Sequence, residues 1–275
     1  MTYAAMGQSA LDYFPCRYGT SKLLFRGPRR RLQDDYVVFL GGIETYGKFI
    51  TTPFPMLVEY ETGVKSVNLG CVNAGIDAYL TDKSLISICS RAKATVIQAM
   101  GAQNMSNRFY AVHSRRNDRF LHASTLLKTS YSEVDFTEFN FTRHMLCALA
   151  KVSAGKFDMV RQELKDAWVA RMQILITQID GPVVLLWLTG TEASDVEDMR
   201  HTDALFIDQE MIDAVKSSLP KTVVVSVAGT KEDMAAGIDE MVFEEMERPA
   251  AEELLGPVVH RRTSEVLAEA LRTIG

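Results

Sequence analysis

Hydrophobic residues in this chain come in short runs separated by stretches of helical length. The runs at 36–41 (YVVFLG), 65–69 (KSVNL), 94–100 (ATVIQAM), 183–188 (VVLLWL) and 222–227 (TVVVSV) have the length of strands. Their sustained apolar character is that of parallel strands covered on both faces. Between them the spacing predicts a helix after Thr45 and another across 77–90. A long amphipathic helix carries Phe157, Val160, Leu164, Trp168, Met172, Leu175 and Ile179 on one face and is ended by Gly181-Pro182. A closing helix from about Thr263 aligns Val266, Leu267, Ala270 and Leu271. Strands alternating with helices predict a five-stranded parallel sheet in a three-layer α/β/α sandwich, one domain over residues 1–275. Residues 1–35 read as an irregular segment ending in the basic stretch Arg26-Gly-Pro-Arg29-Arg30-Arg31, and 101–155 as an insertion of loops and short helices after the third strand.

Composition narrows the partners. The 275 residues are 47% hydrophobic and 24% charged with a net charge of −5, ordinary for a globular protein and opposed to a surface that tracks nucleic-acid phosphates. The opening MTYAAMGQSALDYF has no basic or continuously apolar leader, and the longest apolar run, PVVLLWL at 182–188, is too short to span a bilayer. The expectation is a cytoplasmic chain with no membrane partner, able to form a homo-oligomer. Cys16, Cys71, Cys89 and Cys147 are scattered without zinc-site spacing, so neither a metal nor a cofactor is expected.

The strand at 36–41 runs into YVVFLGGIETYGKF, residues 36–49, a turn of the kind that gathers backbone amides at a helix start. Two readings compete for it. Gly42-Ile-Glu-Thr-Tyr-Gly47-Lys48 fits the Gly-x4-Gly-Lys core of a phosphate loop. Phe49, however, replaces the Ser or Thr that would hold magnesium, and Glu44 places a carboxylate in the cradle.

The second reading draws on four stretches in order. Gly41-Gly42-Ile43-Glu44-Thr45 resembles the Gly-Asp-Ser-x-Thr block of the SGNH (GDSL) hydrolases, and Asn68-Leu69-Gly70-Cys71 resembles their second block. Met100-Gly101-Ala102-Gln103-Asn104 is similar to the Gly-x-Asn-Asp block, and Val259-His260-Arg261 to the histidine block. The phrases DYFPCRYG, FLGGIETYGKF, NLGCVNAGIDAYL, MGAQNMSNRFYAVH and FTRHML resemble, from end to end, a bacterial domain-of-unknown-function family. The resemblance implies an SGNH-like fold, oxyanion or ligand contacts from Gly42, Ile43, Gly70, Cys71, Gln103 and Asn104, and a catalytic role for His260; Asn73 and Arg108 join the candidate ligand contacts from the polar residues around them.

Departures bear on the chemistry. Ile43 stands at the nucleophile's position, Pro257 where an aspartate would orient His260, and Gln103 in place of the oxyanion asparagine. An isoleucine forms no acyl-enzyme. Glu44 with His260 could supply general acid and base, while Thr45, Cys71 and Ser106 lie nearby in sequence. The same residues have bland uses: Glu44 as charge at a helix N-terminus, Cys71 as core, His260 as a helix-start polar group. Arg108 and its neighbours Arg115, Arg116 and Arg119, with Arg29 to Arg31 at the same rim, suit an anionic or saccharide ligand or pair with surface acids. Asn68, Asn73, Asn104 and Asn107 suggest an amide-lined pocket. Three functions stay open: an SGNH-like enzyme acting on an ester or acyl group of a small anionic or saccharide substrate, a non-catalytic ligand-binding protein, and a nucleotide or phosphate binder using Gly42 to Lys48.

Overall fold

A computed structural model describes residues 11–189 and 205–274. The first ten residues of the irregular N-terminal segment lie outside the described residues. Five parallel strands form the main sheet: β1 (Tyr36–Gly41), β2 (Lys65–Gly70), β3 (Ala94–Gln98), and, beyond a two-stranded hairpin of β4 (Tyr110–His113) and β5 (Arg116–Ala123), β6 (Val183–Thr189) and β7 (Val223–Ala228). Their order is β2-β1-β3-β6-β7. The chain therefore leaves β1 on one side for β2 and returns past it to β3, which opens a crevice between the loops after β1 and β3.

Alternation along the strands builds two cores. Val38 and Leu40 of β1, Val67, Leu69, Ile97 and Leu185 face one layer of helices, among them Ala154–Thr177 with its buried Trp168. Val37 and Phe39, Val96, Val184 and Leu186 face the other, made by Phe54–Thr62 and the C-terminal helix Pro257–Ile274. Both faces of the sheet are covered, as near-continuous apolar strands require.

Several boundaries differ from the sequence expectation, each for a local reason. The helix expected after Thr45 is one turn, Ile43–Tyr46, stopped by Gly47 in the left-handed region (φ 73°); a second helix, Phe54–Thr62, restarts after Pro53. The stretch 77–90 is two helices, Ile76–Leu80 and Lys83–Ser90, because the Asp82 carboxylate caps the amides of Ser84 and Leu85. The C-terminal helix starts at Pro257, six residues before Thr263 by numbering, with proline at the position where a missing N–H costs nothing. Loops and short helices do fill the insertion, together with the unexpected β4–β5 hairpin, whose polar Arg-Asn-Asp-Arg stretch hides its alternation.

Candidate functional site

The turn after β1 is closed from within. Gln98, at the end of β3 and buried, aims its side-chain carbonyl into the turn, where Oε1 accepts the N–H of Gly42 (3.1 Å), the N–H of Thr45 (3.2 Å) and the Thr45 hydroxyl (2.6 Å). Gly41 has to be glycine here, since a Cβ would stand 2.1 Å from Thr45 Oγ1 and 2.5 Å from Gln98 Oε1. The amide of Gly70 is likewise taken, by Asn68 Oδ1 at 2.8 Å, while Asn68 Nδ2 donates to the Thr45 carbonyl at 2.7 Å. Below the turn the buried Arg26 guanidinium donates to the carbonyls of Gly47 and Thr51, placing a cation at the end of the one-turn helix. Of the amides that a phosphate loop would offer, those of Gly42 and Thr45 are thus bonded to Gln98 and those of Tyr46, Gly47 and Lys48 to carbonyls of the same turn, which weighs against a cradle at Gly42 to Lys48.

His260 lies in the first turn of the C-terminal helix and is 2% exposed. Its Nδ1 accepts the N–H of Phe54 at 3.1 Å, and its ring stacks on that of Phe54 at 5.6 Å. Acceptance at Nδ1 fixes the neutral tautomer with its proton on Nε2, 3.9 Å from Glu44 Oε2 and beyond a normal hydrogen bond. Burial, reinforced by the nearby Arg26 charge, lowers the imidazole pKa to about 3, with the Leu255 backbone pulling weakly the other way. Glu44 is buried too, and its Oε1 accepts the Leu255 N–H at 3.2 Å.

A cleft of about 550 Å³ opens over this sealed layer. Ile43, Lys48, Asn73 and Asn104 line it from the loops after β1, β2 and β3, Asp118, Arg143 and His144 from the insertion, and Glu253 and Leu254 from the segment before the C-terminal helix. Asn104 is held from behind: its Oδ1 accepts the Thr142 hydroxyl at 3.0 Å, and its backbone carbonyl leaves no room for a Cβ on Gly75. Oδ1 of Asp118 is buried without a hydrogen-bond partner, and burial raises this carboxyl's pKa against the pull of Arg119 and Arg116. Lys48 lies 3.8 Å from Glu247 and 4.3 Å from the centre of the Phe49 ring.

A family model covers residues 1–275. The chain belongs to DUF6473, a domain of unknown function. No curated protein matches this DUF6473 member. Among solved structures it is similar to a putative lipolytic protein of the G-D-S-L family from Desulfitobacterium hafniense DCB-2, at 12% identity and a TM-score of 0.40 over 86% of this chain and 99% of that one. A gut microbial diltiazem-metabolizing enzyme matches at 12% identity and TM-score 0.42, with 86% of this chain set against 47% of that one. A lipase from a goat rumen metagenome matches at 14% identity and TM-score 0.38, over 88% and 98% of the two chains.

Set on this DUF6473 fold, the residues chosen from sequence divide in three. Ile43, Asn73 and Asn104 line the cleft. Gly42, Glu44, Thr45, Gly70 and His260 gather beneath it, most of their polar groups bonded within the protein, although Nε2 of His260 is buried without a hydrogen-bond partner among the described residues. Gln103, next to Asn104 in the chain, is buried with its backbone carbonyl accepting the Tyr110 hydroxyl. Cys71 sits at the edge of this layer, its thiol pushed up to about 11 by burial, which leaves almost no thiolate at neutral pH. Arg108 is elsewhere: its guanidinium and backbone amide hold the Glu163 carboxylate on the long helix. Arg29 to Arg31 precede β1, at the opposite end of the strands from the cleft, and so do not share its rim. Sequence reasoning passed over Gln98, although a glutamine inside a buried apolar strand is itself a signal, and also Asp118 and Arg143 in the cleft wall. Among the described residues no group of His, Cys, Asp and Glu is arranged to hold a metal ion, and no helix is long and apolar enough to cross a membrane.

Proposed function

We propose that this DUF6473 member is a small-molecule-binding protein on a hydrolase-like fold, taking a hydroxylated anion such as a sugar acid in the cleft beside Ile43, without serine-type ester hydrolysis. One observation carries the reading. The donors and the base that acyl transfer would need are spent within the protein, on Gln98, Asn68 and Phe54, and the cleft above them is lined by Lys48, Asn104 and Arg143 together with Asp118 and Glu253. Cations suit a carboxylate, and the Asn104 amide and Asp118 carboxyl suit hydroxyls. Isothermal titration with glucuronate and gluconate tests this: saturable binding is expected, weakened roughly tenfold in Lys48→Ala or Asn104→Ala. Turnover of p-nitrophenyl acetate that disappears in His260→Gln would overturn it.

Asp118 supports a second reading, acid–base chemistry on the bound ligand. A carboxyl with a buried, unbonded oxygen and a raised pKa beside a cleft has the properties of a general acid. Should a substrate be found, Asp118→Asn is expected to abolish the alkaline limb of its pH–rate profile, where the acid would lose its proton, while leaving the melting temperature near wild type. An unchanged profile would remove Asp118 from the chemistry.

A further inference from the structure

A second depression lies at the other end of the sheet. Its volume is about 790 Å³, and its walls are the segment before β1, with Tyr18, Arg29, Arg30 and Arg31, and the helix Lys83–Ser90, with Ser84 and Ser87, followed by Arg91. The two walls are pressed together where Gly19, at φ +55°, meets Ser84, leaving 2.9 Å between a hypothetical Cβ and the serine's Cβ. Among the described residues no Asp or Glu lines the groove. In a chain of net charge −5 that is a local reversal of sign.

The nearby carboxylates are already committed. Asp34 pairs with Lys65, Asp35 with Lys93 at 3.6 Å, and Glu59 holds Arg30 at 2.9 Å while also accepting the Ser66 N–H. Arg29, Arg31 and Arg91 are left exposed with no carboxylate partner among the described residues. Arg29 is steadied over the Tyr18 ring at 5.9 Å, and Arg91 by its Nε–H bond to the Ser87 carbonyl at 3.2 Å. Three arginines lining one groove, with Ser87 also in its wall, suit the oxygens of a multiply charged phosphate better than a single carboxylate. The concavity favours a compact ligand over a polyanion lying along a surface, and the overall negative charge opposes the latter.

We propose that this arginine groove is a binding site for a soluble small molecule bearing a di- or polyphosphate group, separate from the cleft. Calorimetric titration of the full chain with inorganic pyrophosphate tests it. Saturable binding is expected, reduced roughly tenfold or more in Arg29→Gln/Arg91→Gln and in Arg31→Gln, and unchanged in Lys48→Gln, which alters the cleft instead. All three arginines are exposed, so these variants keep the fold. Three results would overturn the proposal: no binding of pyrophosphate, binding lost in Lys48→Gln but kept in the arginine variants, or co-sedimentation with single-stranded RNA or phosphatidic acid vesicles in the absence of any pyrophosphate affinity.

Discussion

Lowering the pH sets a buried imidazole against its solvent-exposed counterpart in the unfolded chain. The folded pKa of His260 is lowered to about 3 from 6.5, so the unfolded state takes up a proton that the folded state refuses. Its contribution therefore leaves stability flat above pH 6.5 and erodes it as pH falls from 6.5 toward 3, by up to about 1.4 kcal/mol per pH unit. His260→Gln keeps an acceptor for the Phe54 N–H and does not titrate; urea unfolding across that window is expected to lose this slope, and an unaltered slope would assign it to other groups. Gln98→Leu keeps the volume and strands three donors, at Gly42 N, Thr45 N and Thr45 Oγ1, for a loss of roughly 2–5 kcal/mol. A change under 1 kcal/mol in denaturation would mean that water replaces the glutamine. The order of the sequence blocks pairs Glu44 with His260, whose side chains lie 3.9 Å apart, but it does not carry the bonds that occupy them, because the groups involved, Leu255 and Phe54, are set by packing between segments about two hundred residues apart.

Elements translate such contacts into position. Gly75 starts the helix Ile76–Leu80, and a Cβ there would lie 1.8 Å from the Asn104 carbonyl. Gly75→Ala must move the loop that carries Asn104, at a cost of roughly 1–3 kcal/mol. Thermal melting with ligand titration checks the prediction that stability and cleft affinity fall together; a destabilised variant with intact affinity would uncouple the loop from the site. The parallel strands were legible because burial on both faces leaves an apolar run, as at Val183–Leu188. Helix breaks at Gly47 and Asp82 were carried by single residues whose meaning depends on the turn each one makes, and periodicity averages over them.

Across the whole molecule, the strand order separates two depressions of different character, one mixed in charge at the C-terminal ends of the strands and one rich in arginine at the other. Between them the thiols of Cys71 and Cys89 are pushed up to about 11 and about 12 by burial. With Ellman's reagent at pH 8 both are expected to react slowly in the native protein and rapidly in urea; prompt native reaction at either would show a local opening of the sheet's flank. The glutamine in the β1 turn has a last consequence, for any attempt to build an esterase on this fold. Replacing Ile43 with serine places a hydroxyl at the cleft but leaves the Gly42 and Thr45 amides on Gln98 and His260 on Phe54, so Ile43→Ser alone is expected to gain no esterase activity. The glutamine thus acts as a lock on the turn: a hydroxyl placed at residue 43 would find the neighbouring amides already engaged.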